Sequence, residues 1–233
     1  MNLRCVLCSI LASIVVAMLI FGDAYSMPLR PLPLKIIPEI DLTVNADRIV
    51  NVRGPITPMA SQDFAQDMAE KDNGKDTIYV VVNSPGGGIL PGLEMIKRLE
   101  VTKSPVVCVV DGLAASMAAL FIASCPVLVA HKYSIIMFHE YSTMIQGSRK
   151  DLRSQMQLAE AVWNAICRDT SKKMGMTEAE FRRRSAEDWW MNGYDATQIG
   201  FSRAVLNRFI VKNESENLFK QLTKFFTPEK EVE

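Results

Sequence analysis

Ile78 to Val82 is an unbroken apolar run dominated by β-branched residues, and Asn83-Ser84-Pro85-Gly86-Gly87-Gly88 ends it abruptly. Such a run, with no polar alternation, is the pattern of a strand buried on both faces. A helical stretch follows through Leu99, and the arrangement then recurs: Val106 to Val110 is a second buried run, broken at Asp111-Gly112 and followed by a predicted helix over 114–123. Ile49, Val50 and Val52 form an earlier strand closed by Gly54-Pro55, and Ser61 is the expected cap of a helix reaching about Lys71. Val127 to Val129 and Ile135 to Phe138 add two more strands. Strands alternating with helices in this order predict an α/β domain with parallel pairing.

Beyond residue 140 the period becomes helical. Leu152, Met156, Ala159, Trp163 and Ile166 fall on one stripe of a helix expected over 149–174. That stripe suits core packing and subunit contact equally well. Thr177 with Glu180 predicts a capping box, Asp195 to Ile199 a short helix stopped by Gly200, and Ala204 to Leu206 a last strand. Arg182-Arg183-Arg184 reads as a solvated face, and Trp189-Trp190 as buried packing.

The chain carries 26 Lys+Arg against 26 Asp+Glu, so no global field favours nucleic acid, and no basic stripe marks a nucleic-acid surface. Val6 to Phe21 is uncharged, follows Arg4, and leads to Ala24-Tyr25-Ser26. That is the layout of a signal peptide over 1–26 cleaved before Met27; an uncleaved signal anchor is the rival. Either predicts an exported body, periplasmic or membrane-anchored. A Pro-rich linker is expected over 27–46, the folded domain over 47–212 and a charged tail over 213–233. Outside the leader, Cys108, Cys125 and Cys167 show no CxxC spacing, which predicts buried inert thiols rather than a disulfide framework or a zinc site. No metal or cofactor is implied.

The candidate chemistry lies at the two glycine-containing turns. Ser116 falls near a helix start, where unpaired N–H groups and the helix dipole favour negative charge. Ala114, Ala115 and Ala118 leave room around it. A serine nucleophile needs a base, and the chain offers two histidines: His139 at the end of the Ile135–Phe138 strand and His131 in the turn before it.

Asn83-Ser84-Pro85-Gly86-Gly87, Ala114-Ala115-Ser116-Met117 and Met137-Phe138-His139 closely resemble the three signature blocks of the Clp protease proteolytic subunit family. The resemblance runs from about Arg48 to Val205. It implies a crotonase-like β-β-α superhelix with a protruding handle helix, and a serine endopeptidase acting on peptides or unfolded proteins. It further implies Ser116 as nucleophile, His139 as general base, and Asp188, opening the segment Asp188-Trp189-Trp190-Met191, as the orienting carboxylate, with Asp195 the fallback. The backbone N–H groups of Gly87 and Met117 become the oxyanion donors. A ring-shaped homo-oligomer is implied too, whereas export argues against an ATP-driven unfoldase partner. Three other readings stay open: an exported Ser–Lys peptidase, an acyl-CoA hydratase or isomerase of the same fold, and an inactive subunit.

Overall fold

The computed structural model describes residues 37–142 and 146–212. The signal segment, the first half of the expected linker and the charged tail lie outside the described residues. Within them, eight strands form one sheet: β1 (Glu39–Asn45), β2 (Ile49–Arg53), β3 (Ile78–Ser84), β4 (Val106–Ala115), β5 (Val127–His131), β6 (Ile135–Phe138), β7 (Trp189–Asn192) and β8 (Val205–Lys212). The main order is β1-β8-β5-β4-β3-β2, all parallel. β6 branches off the end of β4, and β7 pairs antiparallel with β6. The helices are α1 (Pro58–Lys71), α2 (Ile89–Val101), α3 (Met117–Ala123), α4 (Arg149–Lys173), α5 (Glu178–Ser185) and α6 (Gly193–Gln198). None of the described helices is long and apolar enough to cross a membrane.

The mixed α/β class follows from the buried runs. Val80, Val82, Cys108 and Val110 point into the large core, with Phe64, Met95, Phe121 and Phe181. The alternate residues Val81, Val109 and Val129 point to the opposite face with Leu206. Both faces of β3 and β4 are therefore dry, as continuous apolar strands require.

Several boundaries depart from the sequence expectation. Residues 39–45, placed in the linker, form β1 beside β8; Ile40, Leu42 and Val44 supply the period of two that a strand needs. Thr57, not Ser61, caps α1, with Pro58 in its first turn. Ser61 lies inside the helix, where its hydroxyl donates to Glu94 of α2 at 3.0 Å. Thr177 caps α5, but no reciprocal box forms, because Arg183 and Arg184 engage the Glu180 carboxylate instead. Those two hydrogen bonds hold the Glu180 carboxyl down at about 2. Trp189 packs on Phe138 and under Arg184, whereas Trp190 stands exposed. On α4 the apolar stripe reaches the core only at Trp163 and Ile166; Met156 is 60% exposed.

The cysteine expectation also changes. Cys108 in β4 and Cys125 after α3 form a disulfide, their Cα atoms 6.1 Å apart and 17 positions apart in sequence. Chain spacing gives no hint of it. The strand–turn–helix unit doubles back, so the end of α3 returns over the middle of β4. Cys167 is the free cysteine among the described residues, buried, and burial pushes its thiol up to about 11. Alkylation of the folded, unreduced protein at pH 8 should leave all three of these cysteines unmodified. Reduction should expose the pair and lower Tm by roughly 6–12 °C, since closing a loop of this size contributes about 3 kcal/mol. Peptide mapping reads the first result, and free Cys108 or Cys125 before reduction would count against the bond.

Candidate active site

β4 and the turn after it build the centre of the site. Sequence propensity placed Ala114 and Ala115 in a helix, but they extend β4 because they pair with Ile136 and Met137 of β6. The chain then breaks sharply at Ser116, with φ 56° and ψ −125°, a conformation a non-glycine residue seldom holds. Two sets of backbone hydrogen bonds keep it there. The Ser116 N–H donates to Met137 O at 2.8 Å, and its carbonyl accepts from Ala119 and Leu120 at the start of α3. Ser116 occupies the cap position of α3 without a side-chain capping bond, so its hydroxyl is not consumed by the helix.

His139, the first residue after β6, uses it. His139 Nε2 and Ser116 Oγ are 2.7 Å apart, a hydrogen bond of ordinary length for a serine–histidine pair. Parallel pairing of β6 with the end of β4 sets this contact, because it brings the strand's last residue beside the β4 turn. His131 plays a different part: its Nδ1 accepts the Tyr133 N–H at 3.3 Å and shapes the β5–β6 turn.

The Gly86-Gly87 turn approaches from β3. A Cβ on Gly86 would lie 2.7 Å from Ser116 Cβ and 2.9 Å from Met117 N, and its φ is 93°, so the close approach needs glycine on both counts. Ile56 N–H donates to Gly86 O at 2.8 Å, and Gly88 N–H donates to Ile56 O at 2.9 Å. These bonds hold the turn from either side of Gly87. Its own N–H has no acceptor among the described residues. The Met117 N–H, at the first position of α3, also has none, as helix geometry dictates. Two unpaired donors thus stand beside the Ser116 hydroxyl, an arrangement able to stabilise a tetrahedral oxyanion.

Asp188 is placed less completely. Antiparallel pairing ends with Phe138 against Trp189, and beyond it the Glu140 N–H donates to Ser185 O instead of continuing the ladder. No hydrogen bond joins Asp188 to His139 among the described residues. Asp188 is exposed, has φ 53°, and donates its N–H to Ser185 O at 3.4 Å. Asp195 serves elsewhere: with Asn192 it forms the capping box of α6.

Several site residues escaped the sequence reading. A cavity of about 70 Å³ beside Ser116 is lined by Ile89, Leu120, His139, Tyr141, Trp163 and Ile166, among others. Gly92 belongs here as well, since any side chain on it would overlap the Met117 side chain lying across α2. A glycine inside a helix costs about 1 kcal/mol against alanine, which is the signal that could have drawn attention to it.

Sheet, turn and side-chain pair bring together a serine held at a strand–helix junction, a histidine on its hydroxyl and two unpaired backbone N–H groups alongside. The comparisons with known proteins place the chain. The sequence model described as Clp protease matches residues 39–209, so the chain belongs to the Clp protease family, whose members are peptidases. A curated relative, the ATP-dependent Clp protease proteolytic subunit 1 of Protochlamydia amoebophila (strain UWE25), is 31% identical over 142 residues. That match spans 59% of this chain and 68% of the relative.

Proposed function

We propose that the chain is a serine endopeptidase that hydrolyses peptide bonds in peptides or unfolded proteins. The observation that carries this is the 2.7 Å contact between Ser116 Oγ and His139 Nε2, set beside the unpaired N–H groups of Gly87 and Met117. In the mechanism, Ser116 Oγ attacks the scissile carbonyl while His139 Nε2 accepts its proton. The oxyanion that forms is held by Gly87 and Met117 N–H. His139 then returns the proton to the leaving amine, and a water repeats the sequence on the acyl-enzyme. Asp188 completes the triad by closing on Nδ1 when substrate is bound, fixing the tautomer with the proton on Nδ1. Family membership and the position of Asp188 next to Trp189, the β7 partner of Phe138, support that role.

The cavity walls Ile89, Leu120, Trp163 and Ile166 suit an apolar side chain next to the scissile carbonyl. The crotonase-like superhelix and the handle helix belong to the same reading. The first half of α4, with Met156 and Leu158 exposed, is the segment available to pair subunits in a homo-oligomeric ring. The uncharged run from Val6 to Phe21 supports an exported enzyme that works without an ATP-driven unfoldase. Recovery of a hexameric ATPase in stoichiometric amount with the chain would count against that last point.

Labelling with a fluorophosphonate probe tests the core of the proposal. The wild-type chain should label, and Ser116→Ala and His139→Ala should not. A folded, assembled wild type that fails to label would refute an activated Ser116 and turn attention to acyl-CoA binding.

A further inference from the structure

β3 and β4 fall out of step just before the site. Val82 pairs with Val110, but Ser84 pairs with Ala114, so β3 advances two residues while β4 advances four. The surplus lies at Asp111-Gly112-Leu113, a bulge after which the end of β4 leaves β5 and pairs with β6 while Ala114 keeps its β3 partner Ser84. Bulges beside active sites re-aim the residues that follow, and they leave ladder groups unpaired. Here the unpaired group is the Leu113 N–H, three residues before Ser116. Asn83 Oδ1 accepts it at 3.1 Å. Gly112 lies so close that a Cβ there would sit 2.8 Å from Asn83 Oδ1, and its φ of 128° is another reason the position is glycine.

The same residue also braces the other half of the site. Asn83 O accepts the Gly54 N–H at 3.1 Å, anchoring the turn that leads to Ile56. Ile56 in turn holds Gly86 and Gly88 on either side of the oxyanion donor Gly87. The next residue, Ser84, is fully buried, and its Oγ accepts the Gly86 N–H at 3.1 Å. Asn83 itself is exposed and does not line the cavity beside Ser116.

We infer that Asn83 is a positioning residue that fixes the nucleophile and the oxyanion donors relative to each other, its carboxamide oxygen closing the β4 bulge and its carbonyl anchoring the oxyanion turn. The inference rests on the peptidase reading of Ser116 and deepens it. Displacements of about 1 Å at a reacting centre cost on the order of 10² in rate. Removing the acceptor should therefore act on kcat rather than on substrate affinity.

The test measures kcat, KM and fluorophosphonate labelling rate for wild type, Asn83→Ala and Asn83→Asp, with hydrogen exchange at Leu113 read in parallel. Aspartate keeps an oxygen where the Leu113 N–H needs one. The alanine variant should lose roughly 10–100-fold in kcat and in labelling rate. Its KM should stay within about twofold of wild type, and its Leu113 amide should exchange faster. The aspartate variant should remain within about threefold of wild type in kcat. Should alanine fail to fold, Asn83→Leu offers the same volume without the acceptor. A wild-type kcat in the acceptor-less variant, an equal loss in the aspartate variant, or a loss confined to KM would each overturn the inference. A wild type that does not label at all removes the peptidase reading and this inference with it, an outcome distinct from the other three.

Discussion

Replacing Ser116 with alanine is expected to lower kcat for peptide hydrolysis by about 10⁶ while leaving the fold intact. The size follows from what the hydroxyl does. In the proposed mechanism it is the attacking atom, and His139, 2.7 Å away, takes its proton during acylation. Residual rate over water, on the order of 10³–10⁴, would come from the Gly87 and Met117 donors and from substrate binding, which the substitution leaves in place. The fold should survive for a local reason. Ser116 makes no side-chain cap to α3, so the usual loss of about 1 kcal/mol for removing a capping serine does not apply. Its backbone bonds to Met137, Ala119 and Leu120 involve no side-chain atom. The check is kcat on a fluorogenic peptide with an apolar residue before the scissile bond, beside a thermal melt. A melt within a degree or two of wild type together with lost turnover is the expected pair. Turnover near the wild-type value in a folded Ser116→Ala protein would remove the nucleophile assignment.

How much of this was legible in the sequence depends on the kind of force that sets each element. β3 and β4 are dictated by burial on both faces, and burial writes itself into sequence as unbroken Val and Ile runs. Gly86 and Gly87 were legible because a close backbone approach admits no other residue. Ala114 and Ala115 were misread for the opposite reason. Alanine favours a helix locally, and the pairing with β6 that overrides this is a tertiary fact. β1 was hidden by its Pro-rich neighbourhood although Ile40, Leu42 and Val44 alternate cleanly. The Cys108–Cys125 bond and the cavity wall from Trp163 and Ile166 depend on how distant segments return to one place, which spacing along the chain does not encode. Strand ends and the family motif together pointed to Ser116 and His139, which the fold brings within 2.7 Å. The work of Asn83 was visible only once the register slip between β3 and β4 was seen.

Asp188→Asn is the second large effect, an expected fall in kcat of roughly 10⁴ with the backbone undisturbed. Asparagine tolerates the φ of 53° at this position as well as aspartate does, so the turn into β7 should persist. Under the proposed mechanism, the substitution removes the negative charge that would hold Nδ1 protonated and stabilise the imidazolium while His139 carries the serine proton. Arg183 and Arg184, which neighbour Asp188, are engaged by Glu180, and no ion pair ties the Asp188 carboxylate to either among the described residues. Asp195→Asn is the internal control. Its carboxylate caps α6, so its loss should cost up to about 1 kcal/mol of stability and little turnover. Measured side by side at a temperature where both variants are folded, kcat should collapse in the first and hold in the second. The reverse ordering would move the third catalytic role to Asp195, and equal small effects would mean that Ser116 and His139 act as a dyad.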